Sequence, residues 1–399
     1  MIFSLPFHLT RYFRPTILEA FAITNSELGD AFAIYGLTAM ISYFPGGILA
    51  DKFSIRYLMS GSLIATSVGG IYLLYIPNSF ELSLLYGYWG ITSILFFWAA
   101  LIKATRQWGG VFSQGKAFGY LDGGRGLVAA TFATLSVFIF SSFLPNQEEF
   151  IENVDRIYAL QIVITYYIII TAITALVVWF VLPKNDEDNH HGKTKNMFIT
   201  PKLKLLFDKN IFFIAVTVIC AYCGYKGLDN ITLYLVQTLN WHEASAASFA
   251  AYASYLRPIS AISAGVIADK FDCSKTIKNL FFISILVYLI LFSTTPNNHT
   301  AWIIYLNILL TFVTVFALRG IYFALLQDAQ FPQSKTGVIV GFVSLIGYTP
   351  DIFFGSLTGR ILDNSPGVAG HQNYFLFLMV ISILGLITTY FLSRNKKVK

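Results

Sequence analysis

The chain has 399 residues, of which 56% are hydrophobic, 17% aromatic and only 12% charged, with a formal net charge of +6. Soluble domains carry about 25% charged residues, so the composition excludes a water-soluble globular protein and points to one that lives in a bilayer. The three cysteines, Cys220, Cys223 and Cys273, lie in or beside apolar runs without further soft ligands, and read as small packing residues rather than a metal or redox centre. No cofactor is expected.

From the start, Met1 leads straight into Phe3, Leu5 and Phe7, then Arg11 and Arg14, without a basic leader or a small-residue cleavage site, so no cleavable signal peptide is predicted. Apolar runs long enough to cross a hydrocarbon core follow at 28–50, 57–77, 82–105, 118–142 and 157–182. A polar stretch around Lys184 to Lys193 then reads as a linker, whose adjacent His190 and His191 are expected to be solvated rather than metal-bound. Six more runs lie at 210–239, 245–268, 276–296, 301–326, 338–361 and 372–393.

These eleven spans are organised by a duplication. Gly47-Ile-Leu-Ala-Asp51-Lys52-Phe53 returns 218 residues later as Gly265-Val-Ile-Ala-Asp269-Lys270-Phe271. A second echo, Phe112-x-Gln114-x-Lys116 against Phe331-x-Gln333-x-Lys335, has a period of 219 residues. Duplicated membrane bundles place their site between the halves near the midplane. The repeat demands a twelfth helix before residue 24, apparently short by about two turns. The expected fold is therefore all-α, with two pseudo-symmetric six-helix bundles at residues 1–182 and 210–399 joined by a cytoplasmic linker at 183–209.

Basic residues crowd the loops after even-numbered spans, the linker and the tail, whereas only Arg156 and Arg360 fall near the opposite face. The positive-inside rule then places both termini in the cytoplasm of a multi-pass protein. The positive charge reflects topology and anionic lipid headgroups, so the bilayer is a partner and nucleic acid is not.

Gly47-x-Leu49-Ala50-Asp51-x-x-x-x-Arg56 and its copy at Gly265 to Lys275 resemble the loop signature of the major facilitator superfamily. Ser54 departs from the usual glycine of that signature, as Asp272 and Cys273 depart from its glycine and arginine in the second copy. The segments Phe118 to Leu127, Thr336 to Gly341 and Gly347 to Asp351 are similar to a bacterial branch of sugar-phosphate, hexuronate and nitrate carriers. The resemblance implies a twelve-helix secondary transporter, with Gly47, Asp51, Arg56, Gly265, Asp269 and Lys270 as gating-loop residues. Physically, a carboxylate such as Asp51 is stabilised by the positive end of a helix, here expected near Gly337, and such a contact forms only when the cytoplasmic side is closed.

Ionisable residues inside spans cost a few kcal/mol at the bilayer centre, which makes Lys226, Asp229, Arg257 and Asp351, near the middle of their spans, candidates for function. The repeat maps Lys226 onto His8 and Asp229 onto Arg11. Cations facing one cavity from both halves suit an anion, so Arg11, Lys226 and Arg257 are expected to bind substrate, with Tyr222 and Tyr225 lining the cavity. Lys226 and Asp229 also stand three residues apart on one helix face, where a salt bridge is the simpler expectation. Asp229 and Asp351, with their neighbouring cations, are the candidates for proton coupling. Asp122 and Arg125 read as a structural pair.

The sequence has no catalytic constellation and no Gly-rich phosphate loop, so the expected activity is secondary transport of a small polar, anionic metabolite across a bacterial inner membrane by a monomer, driven by a proton or by exchange. A carrier of amino acids or nucleosides, with Arg257 and Asp351 meeting a zwitterion, is the alternative within this class. A non-transporting nutrient sensor is the alternative from another.

Overall fold

A computed structural model describes residues 2–109, 114–144, 152–183, 208–297, 299–328 and 336–394. The second repeat motif at Phe112 and Phe331 and the linker histidines fall outside them. In chain order the α-helices are α1 (Thr10–Ala20), α2 (Asn25–Lys52), α3 (Ile55–Leu73), α4 (Ser79–Gly90), α5 (Ala99–Gly109), α6 (Gln114–Phe143), α7 (Asn153–Val181), α8 (Lys209–Gly227) and α9 (Ile231–Leu239). They continue with α10 (Glu243–Ala253), α11 (Leu256–Phe271), α12 (Cys273–Ser293), α13 (Ala301–Ile321), α14 (Leu325–Asp328), α15 (Thr336–Gly347), α16 (Pro350–Asn364) and α17 (Val368–Arg394). Each of the eleven expected spans falls on helix, and among the described residues seven helical stretches are long and apolar enough to cross a membrane by length and composition.

Local chemistry sets several boundaries. The Thr24 hydroxyl accepts the Glu27 N–H at 3.2 Å while the Glu27 carboxylate accepts the Thr24 N–H at 2.8 Å, closing a capping box at the start of α2. Asn78 and Glu81 repeat the device at α4. A π-helical stretch, Ile91–Trp98, joins α4 to α5. The α2 C-terminus is held by Lys103, whose Nζ donates to the Ala50 carbonyl at 3.0 Å, a cation at the negative helix end.

Contacts gather into two compact units. The first comprises Met1–His191, Asn240–Tyr255 and Asp351–Arg360; the second comprises Gly192–Leu239, Leu256–Pro350 and Ile361–Lys399. In the first unit, the core packs Phe13, Trp89, Phe140, Val163 and Tyr167, with the Trp89 Nε1–H donating to the Thr66 carbonyl at 3.1 Å. Here α2 meets the Asp351–Arg360 part of α16 through backbone. A Cβ on Gly29 would strike the Gly355 carbonyl, and one on Gly359 would strike that of Asn25, so small residues permit the approach. Asp30 closes the same seam, accepting from Ser356 Oγ at 2.6 Å and from both Arg360 terminal nitrogens at 2.9 and 3.2 Å. In the second unit, Val218, Phe281, Leu318 and Tyr322 belong to one core cluster.

The first expected helix is divided into a 3-10 turn, Ile2–Phe7, followed by α1. Its repeat-equivalent is divided too, α8 giving way to a 3-10 turn at Leu228–Asn230 before α9. Residues 228–230 map onto 10–12, so both halves interrupt the same helix at nearly the same place. Discontinuous helices at corresponding positions of two repeats are a mark of transporter binding regions.

Candidate functional site

The ionisable residues singled out within the spans stand at helix interruptions. Lys226 lies in the last turn of α8 and Asp229 in the 3-10 turn that separates it from α9, Arg257 follows the α10–α11 break, and Asp351 follows the α15–α16 break. Arg11 and Arg14 lie on α1, which kinks at Phe13 (φ −117°, ψ 27°). Proline explains three of these. Pro15, Pro258 and Pro350 lack an N–H, so none of them can donate the helical bond to the carbonyl four residues earlier, at Arg11, Ser254 and Ile346 respectively. The Thr349 hydroxyl donates to that Ile346 carbonyl at 2.7 Å. At the first-helix and seventh-helix breaks, tyrosine hydroxyls do comparable work. Tyr86 donates to the Phe7 carbonyl at 3.3 Å and Tyr374 to the Gly227 carbonyl at 2.7 Å.

In the first unit, Arg11 and Arg14 are buried, at 6% and 4% exposure. Arg14 Nε donates to Asn25 Oδ1 at 3.1 Å, which ties α1 to the start of α2. Asp351 occupies the first turn of α16, where the helix dipole favours a carboxylate, and its charge lies within electrostatic range of Tyr35. A residue missed from sequence also belongs here. Glu243, in the first turn of α10, is buried and accepts from Arg156 Nε at 2.7 Å and from the Thr16 hydroxyl at 2.5 Å. An acidic residue in a first helical turn reads from sequence as ordinary end chemistry, so only the long-range partners reveal it.

In the second unit, Lys226 Nζ stands 3.9 Å from Asp229 Oδ2, both groups being buried, so the intrahelical pair that competed with substrate binding is present. Tyr222 and Tyr225 stack at 5.9 Å, and Tyr348 meets Tyr222 edge-on at 4.9 Å. Arg257 lies 5.9 Å from the Tyr225 ring centre. Arg319, from the last turn of α13, lies 3.8 Å from the same ring centre and 5.4 Å from that of Tyr222. Two guanidiniums over one ring repel each other. An anion between them would relieve this.

The gating-loop residues are placed as follows. Arg56 stacks on Trp179 at 4.6 Å, and its Nε is buried without a hydrogen-bond partner. Asp269 and Lys270 are exposed, with Lys270 Nζ 5.3 Å from the Phe271 ring. A Cβ on Gly47 or Gly265 would meet nothing within 4 Å, so close packing does not demand glycine at either. The expectations for the Asp51 and Asp122 side chains fall outside the described residues, and Arg125 stacks over Trp98 at 5.3 Å.

Comparison with known proteins agrees with this architecture. The chain is 29% identical over 406 residues to the inner membrane protein YihN of Escherichia coli, covering 99% of this chain and 92% of that protein. It is 25% identical to the inner membrane protein YqcE of the same organism, covering 92% and 85%. Among solved structures, a bacterial homologue of the human lysosomal transporter Spinster, inward-facing and occupied, superposes with a TM-score of 0.72 at 14% identity, covering 99% of this chain and 95% of that one. A mutant of the nucleoside transporter NupG gives 0.71 at 12% identity, covering 98% and 97%. The family model described as Major Facilitator Superfamily matches residues 1–355. The chain therefore belongs to the Major Facilitator Superfamily of membrane transporters and has its twelve-helix, two-bundle fold.

Proposed function

We propose that this chain is a secondary active transporter that carries a small, polar, anionic organic metabolite across the bacterial inner membrane by alternating access between two six-helix bundles, residues 1–182 and 210–399, with a cytoplasmic linker between them. The observation that carries the reading is the cationic excess at the helix breaks. In the second unit Lys226 stands beside Asp229, and Arg257 and Arg319 both lie over the ring of Tyr225. In the first, Arg11 and Arg14 are buried beside a break at the equivalent position. Cations held at such a cost in a bilayer interior support a role in meeting an anion.

Arg11, Lys226 and Arg257 then contact substrate, Tyr222 and Tyr225 line its path, and Asp229 and Asp351 supply the carboxylates that a proton-coupled cycle requires. Asp229 suits that role because it alternates between Lys226 and a proton. Gly47, Asp51, Arg56, Gly265, Asp269 and Lys270 act as the cytoplasmic gate, with both termini on that side. The names of the two Escherichia coli relatives support the inner-membrane location. The stacked tyrosines favour one second reading, a nucleoside or amino-acid carrier, since rings of this kind also take a planar base.

Counterflow into proteoliposomes tests both. Radiolabelled glucose 6-phosphate, gluconate and succinate are compared with uridine and alanine, and exchange of at least one anion, enhanced by an inward proton gradient, is expected. Exchange confined to uridine or alanine would transfer the chain to the second reading.

A further inference from the structure

We propose that Arg319 and the tyrosines around it form an oxyanion-binding site, with the Arg319 fork, rather than the Lys226 ammonium, gripping the carboxylate or phosphate of the ligand. The proposal rests on the anion-carrier reading above and names the group that would meet the charge.

The guanidinium lies against Tyr225 at 3.8 Å, so its cation is carried on the ring, and the Nη1 nitrogen is buried without a hydrogen-bond partner. Among the described residues Arg319 makes no ion pair. Stacking engages the face of a guanidinium and leaves its in-plane N–H groups, which match the two oxygens of a carboxylate or phosphate. Tyr322 and Tyr348 bring their hydroxyls together at 3.3 Å. When Tyr322 donates to Tyr348, the Tyr348 hydrogen is left to donate to a ligand. Lys226, by contrast, already has Asp229 at 3.9 Å.

The duplication supplies an independent observation. At the repeat offsets of 218 and 219 residues, Arg319 falls on Leu101 or Ala100 and Tyr348 on Ala130 or Ala129. At the offset of 218, Tyr222 and Tyr225 fall on Ser4 and Phe7. A cluster required by the fold would be expected in both halves. This one belongs to a single half, which marks it as chemistry rather than scaffold. The sister residue also supplies the replacement to test, Arg319→Leu.

The test is the thermal stability of the purified full chain in detergent at constant ionic strength, titrated with inorganic phosphate, glucuronate and succinate, and with glucose and glycine as uncharged and zwitterionic probes. At least one oxyanion is expected to raise the Tm of the parent protein saturably. Arg319→Leu should weaken that response by about tenfold or more while leaving the unliganded Tm nearly unchanged. Arg319→Lys, which keeps the charge without the fork, should fall between, and it decides the matter if the leucine variant does not fold. An oxyanion response kept at full affinity by the Arg319 variants and lost in Lys226→Ala would overturn the Arg319 site and leave the anion reading standing. A response to glucose or glycine alone, or to no probe, would overturn both. A response confined to added short-chain phosphatidylglycerol would assign the same chemistry to a lipid headgroup and overturn the substrate site.

Discussion

Arg156 of α7 donates its Nε–H to the buried Glu243 carboxylate of α10 at 2.7 Å, across 87 residues of sequence. The other Glu243 oxygen accepts from Thr16 of α1, so one carboxylate fastens three helices of the first unit. Removing one partner of a buried pair leaves a charge without compensation and costs about 3 kcal/mol. Arg156→Ala is therefore expected to lower stability by about that amount, and Arg156→Ala with Glu243→Gln by distinctly less. Unfolding of the four proteins of the double-mutant cycle measures it, and additive losses would show that the contact contributes nothing specific. Arg360 and Asp30, about half exposed, provide the contrast, since such a pair is worth about 0–1 kcal/mol.

Gly29 and Gly355 face each other but are not equivalent. A Cβ on Gly29 would enter the Gly355 backbone, whereas one on Gly355 would lie 3.1 Å from the Gly29 carbonyl oxygen. Gly29→Ala should thus lower the Tm clearly more than Gly355→Ala, by the overpacking penalty of about 1–3 kcal/mol. Equal shifts would mean that the two helices do not approach through backbone.

Asp272 adopts φ +93° while its carboxylate accepts the Lys275 N–H at 3.2 Å, capping α12. This is one of the positions where the loop signature carries glycine. Asp272→Gly relieves the backbone and loses the cap, so its net effect should stay within about 1 kcal/mol. Asp272→Ala loses the cap and keeps the strain, and is expected to cost about 2 kcal/mol. Thermal melts of the two variants should separate in that order; a reversed order would remove the left-handed backbone from consideration.

Burial pushes the His242 imidazole below its ordinary range, with Arg156 adding to the effect and the Glu243 carboxylate opposing it. The Nδ1 atom of His242 accepts the Ala244 N–H at 3.3 Å, an N-cap to α10 that protonation would abolish. A depressed folded pKa means that the stabilisation is present above the unfolded value of about 6.5 and is lost as pH falls through the folded value. His242→Gln should flatten the decline of Tm below about pH 6.5. A decline of the same steepness in the variant would place the titrating group elsewhere.

The eleven spans are legible because a hydrocarbon core leaves an apolar helix little alternative, and the helices begin and end within a few residues of where the apolar runs do. Lys226 with Asp229 is legible as a pair from spacing alone. Pro258 carries a signal as clear as Pro350, since a missing N–H in a span must be answered by a neighbour, yet the apolar run at 245–268 passes through it unbroken. Glu243 and Arg319 are a different matter. What distinguishes them is Thr16, Arg156 and the rings of Tyr222 and Tyr225, brought from distant sequence, and no local pattern encodes those neighbours.

The twin interruptions at Phe7 and Gly227 have a mechanical meaning. A continuous helix resists bending because each turn is stitched to the next by several parallel bonds, whereas at these two points a tyrosine hydroxyl stands in for part of the stitching. Each half is notched at nearly corresponding residues of its first helix, and a notched beam flexes at its notch. The duplication has preserved the compliant joint in both copies while letting the chemistry beside it diverge, so the place where the chain yields most readily is also the place where its buried charges wait.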